Sequence, residues 1–107
     1  MAAVPVKDTI KVVNDEGIVV STPKRSTLYS MQTPQAFKYD LVADAYGKLI
    51  EQERSVLDKG ISITDDSMVV EYFTSHPVKI VEGSYDNIKI TTPKDIELGK
   101  QILNIFM

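Results

Sequence analysis

Two runs of β-branched residues, Thr9–Val13 and Ile18–Ser21, flank the polar tetrapeptide Asn14-Asp15-Glu16-Gly17. The pattern predicts a β-hairpin, with Gly17 supplying the positive φ that a tight turn needs. A lone two-stranded hairpin is marginal in water. This one lies close to the start of the chain, so it needs a partner: either the rest of the fold or another subunit.

The downstream pattern alternates. Leu28–Gln32 reads as a short strand. Thr33-Pro34 reads as a helix start, because Thr is a good N-cap and Pro suits the first helical position. Phe37, Leu41, Ala45 and Leu49 then recur every four residues, with Val42, Tyr46 and Ile50 beside them, which predicts one amphipathic face. Gly47 weakens such a helix by about 1 kcal/mol without ending it. Lys59-Gly60 reads as a loop. A second helix is predicted from Thr64 to near Ser75, with Asp65 and Asp66 complementing the dipole in its first turn. Val78–Glu82 and Ile88–Ile90 read as strands, the latter sending Lys89 to the face opposite its isoleucines. Thr92-Pro93 opens a last helix with Ile96, Ile102, Leu103 and Phe106 as core contacts. Helices and strands in this order predict an α/β layered architecture. No repeat, low-complexity segment or Gly/Ser linker interrupts the 107 residues, which fit one domain.

Composition excludes several function classes. Cysteine is absent, so disulfide frameworks, thiolate zinc sites and a Cys nucleophile are ruled out. One histidine is too few for a His-rich metal cluster. The net charge of −3, from 12 basic and 15 acidic side chains, argues against a broad nucleic-acid surface. No apolar run nears the roughly 20 residues that span a bilayer. The residues from Met1 to Lys7 lack the apolar stretch of a signal peptide. The expected location is cytoplasmic.

Charge is uneven along the chain. Residues 1–25 hold four basic and three acidic side chains, whereas residues 26–75 hold four and eight. Lys7, Lys11, Lys24 and Arg25 make the front relatively basic, which is either a solvated surface or an anion-binding edge. The predicted helix starts at Thr33, Thr64 and Thr92 offer free N–H groups that attract phosphate, although a threonine there more often only caps its helix. Lys89 either snorkels to solvent or points into a site. Arg25 offers a planar fork suited to phosphate, against the plainer reading of an exposed arginine. Asp65 and Asp66 suit Mg²⁺, yet serving as dipole partners explains them more simply. His76 reads as a turn residue before Pro77. No Gly-rich phosphate loop is present. The residues by themselves therefore lead to an α/β domain with possible anion sites.

Five blocks carry a resemblance: residues 4–11 (VPVKDTIK), 22–28 (TPKRSTL), 32–37 (QTPQAF), 63–66 (ITDD) and 81–95 (VEGSYDNIKITTPKD). In this order and spacing the chain resembles the C-terminal half of the 2-C-methyl-D-erythritol 4-phosphate cytidylyltransferase family. The resemblance implies a partial three-layer, Rossmann-like nucleotidyltransferase fold with a protruding β-hairpin dimerisation arm. Residues 1–27 would form the arm and 28–107 the α/β substrate-binding part. It implies cytidylyl transfer from CTP to methylerythritol phosphate in isoprenoid biosynthesis, with Mg²⁺ held mainly by the nucleotide phosphates. Thr9 and Arg25 match arm residues that reach the neighbouring subunit's site in a homodimer, formed through residues 8–25. Thr33 and Thr64 match residues of the methylerythritol phosphate pocket, and Lys89 matches the lysine that stabilises the transferring phosphoryl group. The family's first half, with its Gly-rich CTP loop, has no counterpart here. The chain is therefore expected not to turn over CTP alone and to associate. Two other readings stay open: a ribitol-type polyol phosphate cytidylyltransferase, and a non-catalytic dimerisation module.

Overall fold

The computed structural model describes residues 1–106. The C-terminal limit of the 28–107 part, Met107, lies outside the described residues. The chain packs as two compact units. One holds Met1 with Pro34–Ile80, and the other holds Ala2–Thr33 with the segment from Val81 onward.

The second unit is built on a three-stranded sheet. Its central strand is β1 (Ala2–Pro5). The hairpin follows as β2 (Val12–Val13) and β3 (Val19–Ser21). After a 3₁₀ turn at Arg25–Thr27 come β4 (Tyr29–Met31) and, much later in sequence, β5 (Val81–Glu82). Strand β1 pairs antiparallel with β4, Val4 opposite Ser30, and parallel with β5, Ala2 opposite Val81. Ala3 and Val4 are buried. The ladder ends at Pro5, which has no N–H to give. Val6 resumes contact by donating to the Leu28 carbonyl at 3.1 Å. Sequence reading assigned no strand here, because alanine is a weak strand former and four residues carry no clear alternation.

The hairpin forms as expected, but it is shorter. Asn14 Oδ1 accepts from the amides of Glu16 and Ile18, both at 3.0 Å, and Gly17 has φ 78°. Strand β2 covers only Val12–Val13, and its register shifts there against β3. Ile10, Val12, Val13, Ile18, Val19 and Val20 are all exposed.

Residues 88–90 join no sheet, which corrects the strand expected at Ile88–Ile90. The expected strand Val78–Glu82 shrinks to β5, where β1 supplies a partner. A helix does begin at Pro93. Asp95, in its first turn, accepts from the amides of Thr91 and Thr92 at 3.0 and 2.9 Å. These bonds hold its carboxyl below the usual carboxylate range. The predicted core contacts of this helix are not buried: Ile96 is 48%, Leu103 56% and Phe106 71% exposed, while Ile102 is half-buried. The helix packs on Ile88 and Ile90 at Gly99, where an added Cβ would lie 3.5 Å from Ile90 Cδ1.

The first unit is helical: α1 (Tyr39–Glu51), α2 (Glu53–Asp58) and α3 (Asp66–Phe73). The remaining helix, Pro93–Phe106, is then α4. Ala45, Val56, Val69, Val70 and Phe73 form the core, with Phe37, Leu41, Val42, Tyr46 and Leu49 packed against it. The predicted apolar face of α1 is therefore correct except for Ile50, which is 74% exposed. Helix α1 runs through Gly47 as expected. It starts at Tyr39 rather than Thr33-Pro34, because Lys38 is still extended and Gln35 is engaged elsewhere. Helix α2 was not expected; it places Val56 in the core, and Gly60, at φ 70°, closes the turn after it.

Candidate functional site

The five predicted site residues are all exposed. Four of them, Thr9, Arg25, Thr33 and Lys89, belong to the sheet unit, and Thr64 belongs to the helical unit. Among the described residues, no hydrogen bond links one of the five to another. What the sheet unit does instead is anchor several of them to shared backbone.

Arg25 opens the 3₁₀ turn after the hairpin. Its Nη1 donates to the Lys7 carbonyl at 2.8 Å, which ties the exit of the hairpin to its entry. The guanidinium keeps further donors for an anion. Lys7 Nζ lies 4.0 Å from the centroid of the Tyr85 ring, a cation–π contact. The Tyr85 hydroxyl donates to the Pro5 carbonyl at 2.7 Å. Thr9 follows Lys7 by two residues on the way to β2.

The loop carrying Tyr85 is itself pinned. The Gly83 amide donates to the Ala3 carbonyl at 2.9 Å, so the loop leaves directly from the sheet. Gln32 Nε2 donates to the carbonyls of Ser84 at 2.6 Å and Asn87 at 3.3 Å. A Cβ on Gly83 would lie 2.1 Å from Gln32 Oε1, so the glycine makes room for this carboxamide. Asn87 Nδ2 donates to the Thr33 carbonyl at 3.0 Å. Thr33 therefore does not cap a helix; its backbone is held to the loop that leads two residues later to Lys89.

Thr64 does not cap either. Its amide and hydroxyl donate to Met68 Sδ at 3.3 and 3.0 Å. The N-cap of α3 is Asp65, which accepts from the Met68 amide at 2.9 Å, from Ser67 Oγ and from Gln35 Nε2. Its partial burial favours the protonated form, but the bonds from Gln35, Met68 and Ser67 together outweigh that and hold its pKa below the usual value. Asp66 accepts from the Tyr46 hydroxyl. That bond, with burial and the charges of both aspartates, pushes the Tyr46 pKa up to about 12. Both carboxylates are thus occupied by the fold, as the dipole-partner reading expects. His76 lies in an irregular segment rather than in a turn, its Nδ1 2.9 Å from the Pro77 carbonyl.

Among the described residues, no three His, Cys, Asp or Glu side chains gather in a way that would hold a metal ion. A cavity of about 220 Å³ opens in the helical unit, lined in part by Phe37, Leu41, His76 and Lys79, and none of the five predicted residues lines it. The chemistry-bearing positions sit on open loops and turns instead. The sequence places Lys7 only within a possible anion-binding edge and assigns no role to Gln32, Tyr85 or Asn87. The available signal was their place inside the recognisable blocks, with Gly83 marking a close approach of backbone and side chain.

Comparison with known proteins fixes the relationship. The 2-C-methyl-D-erythritol 4-phosphate cytidylyltransferase family model matches residues 1–105. The enzyme of that name from Alkaliphilus oremlandii is 52% identical over 103 residues, covering 96% of this chain and 40% of the relative. The one from Desulforamulus reducens is 48% identical over 101 residues, again 40% of its length. Among solved structures, 4-diphosphocytidyl-2C-methyl-D-erythritol synthase from Anaerococcus prevotii superposes with a TM-score of 0.81 at 39% identity, covering 96% of this chain and 44% of that one. The α/β nucleotidyltransferase fold expected from sequence is the fold of these neighbours. The chain spans about 40% of the length of the curated relatives it matches, and with the family model covering nearly every residue it belongs to the 2-C-methyl-D-erythritol 4-phosphate cytidylyltransferase family.

Proposed function

We propose that this chain supplies the polyol-phosphate side of a cytidylyltransferase site, serving transfer of CMP from CTP to 2-C-methyl-D-erythritol 4-phosphate. The observation that carries the reading is the family match over residues 1–105. In the reaction, an oxygen of the substrate phosphate forms a bond to the α-phosphorus of CTP. The bond from that phosphorus to the bridging oxygen breaks, and pyrophosphate leaves. Two anions must meet, so cations and oriented donors have to offset their repulsion and the charge of the in-line transition state.

In this reading Arg25 binds the substrate phosphate with the donors that Lys7 leaves free. Lys89 stabilises the transferring phosphoryl group. The hydroxyls of Thr9, Thr33 and Thr64 fix the polyol phosphate. Thr64 donates to a thioether, a weak acceptor that a ligand oxygen readily replaces. Mg²⁺ would enter with the nucleotide and neutralise its phosphates; among the described residues this chain offers no cage of its own. The hairpin fits a homodimer arm, because its six large aliphatic side chains at positions 10–20 are exposed on a short ribbon. A cytoplasmic location fits as well; no helix of the described residues is long and apolar enough to cross a membrane.

The test is a chimera in which this chain replaces the matching segment of the Alkaliphilus oremlandii relative. The expected result is pyrophosphate release that depends on CTP and methylerythritol phosphate together, with ribitol 5-phosphate a poor substitute. A folded chimera with no turnover, or one that prefers ribitol 5-phosphate, would overturn the reading. The chain alone is expected to release no pyrophosphate.

A further inference from the structure

We propose that Tyr85 is a positioning residue for Arg25, gripping the chain on both sides of Val6 so that the guanidinium is presented in one place; this rests on the reading of Arg25 given above. The Tyr85 hydroxyl holds the Pro5 carbonyl at 2.7 Å, and its ring carries the Lys7 ammonium 4.0 Å from the centroid. The same Lys7 provides the carbonyl on which Arg25 Nη1 rests at 2.8 Å. Tyr85 thus holds the residue that carries Arg25, and no hydrogen bond among the described residues joins the two side chains directly.

The geometry suits a latch. Strand β1 ends at Pro5, and beyond it the backbone has one further sheet-like bond, from the Val6 amide to the Leu28 carbonyl. Lys7 lies past that bond and is exposed, so its carbonyl would wander on its own. Tyr85, by contrast, stands on a loop fixed at both ends. The Gly83 amide is bonded to Ala3 in the central strand, and Gln32 holds the carbonyls of Ser84 and Asn87. The tyrosine therefore transmits the rigidity of the sheet to an exposed turn.

The experiment uses the chimera described above and steady-state kinetics with each substrate varied. Losing an exposed cation–π contact and a hydrogen bond predicts that Y85A raises KM for methylerythritol phosphate about tenfold and moves KM for CTP less than about twofold. Y85F keeps the ring under Lys7 and predicts a rise of about threefold. Because Tyr85 acts through Arg25, Y85A adds much less in an R25A background. Thermal unfolding of each variant separates this from a general loss of structure. An unchanged KM for the polyol phosphate in Y85A and Y85F, an equal rise for both substrates, or full additivity with R25A would overturn the proposal. If R25A itself leaves that KM unchanged, the reading of Arg25 fails instead, and the two failures are told apart.

Discussion

Substituting Gly83 with alanine probes the joint on which the loop before Lys89 depends. The new Cβ would lie 2.1 Å from Gln32 Oε1, 3.2 Å from Gln32 Cδ and 3.5 Å from the Ala3 amide nitrogen. Only the last is an ordinary contact, so the carboxamide of Gln32 has to leave. It then gives up its bonds to Ser84 at 2.6 Å and Asn87 at 3.3 Å. Two such bonds contribute about 1–3 kcal/mol net. Gly83 is not among the glycines with positive φ, so alanine meets no backbone strain there. It also stiffens the unfolded chain, which returns about 0.4–1 kcal/mol. G83A should therefore destabilise the chain by up to about 2.5 kcal/mol. In a Q32A background the obstructing atoms are gone, and the same substitution should be neutral or stabilising by up to about 1 kcal/mol. Urea unfolding followed by far-UV circular dichroism measures all four corners of this cycle. An equal penalty for G83A in both backgrounds would refute the reasoning, since Gln32 would then not be what the alanine displaces.

Removing the α3 cap with D65A should cost about 1 kcal/mol in the same assay. Because the folded Asp65 pKa lies below its usual value, its stabilisation is complete above the ordinary carboxylate range and fades as pH falls through the lower folded value; an acid-unfolding curve that D65A leaves unmoved would contradict this. Tyr46 has the opposite sign. Its pKa is raised from 10.0 to about 12, so its contribution is full below pH 10.0 and is lost as pH climbs towards 12. Spectrophotometric titration at the tyrosinate band should lose one late-titrating tyrosine in Y46F. Replacing exposed Val13 and Val19 of the hairpin with lysine should leave the fold intact, and light scattering should report weaker self-association. K89A in the chimera should lower kcat by at least about tenfold, as expected for a cation stabilising developing charge.

How much was legible differs from element to element. The hairpin, the amphipathic face of α1 and the start of α4 at Pro93 follow from local chemistry: turn residues, period and a proline that suits the first helical turn. Errors fell where a local signal met a tertiary competitor. Thr33-Pro34 carries the marks of a helix start, yet Asn87 and Gln35 tie that stretch into other bonds and α1 waits until Tyr39. Thr64 precedes two aspartates, and Asp65 is the better cap because its carboxylate reaches the Met68 amide. The apolar stripe of α4 follows the periodicity of a core helix, yet Ile96, Leu103 and Phe106 stay exposed, because periodicity along a chain does not specify what packs against it.

For the site, the sequence named the chemistry and the structure named the supports. Arg25 and Lys89 were recognisable because a planar cation after a hairpin and a lysine between isoleucines fit an anion, and because the surrounding blocks resemble a family. Residue order alone determined the α/β class and that family, since both depend on patterns along the chain. Only the tertiary structure decided that Ala2–Pro5 is the central strand and that Tyr85, Gln32 and Asn87 hold the candidate residues in place. Those roles arise from contacts between residues more than 50 positions apart in sequence, such as Gln32 with Ser84 and Pro5 with Tyr85. Nothing in the local composition of either partner specifies such a pairing; it exists once the sheet has brought the two segments side by side.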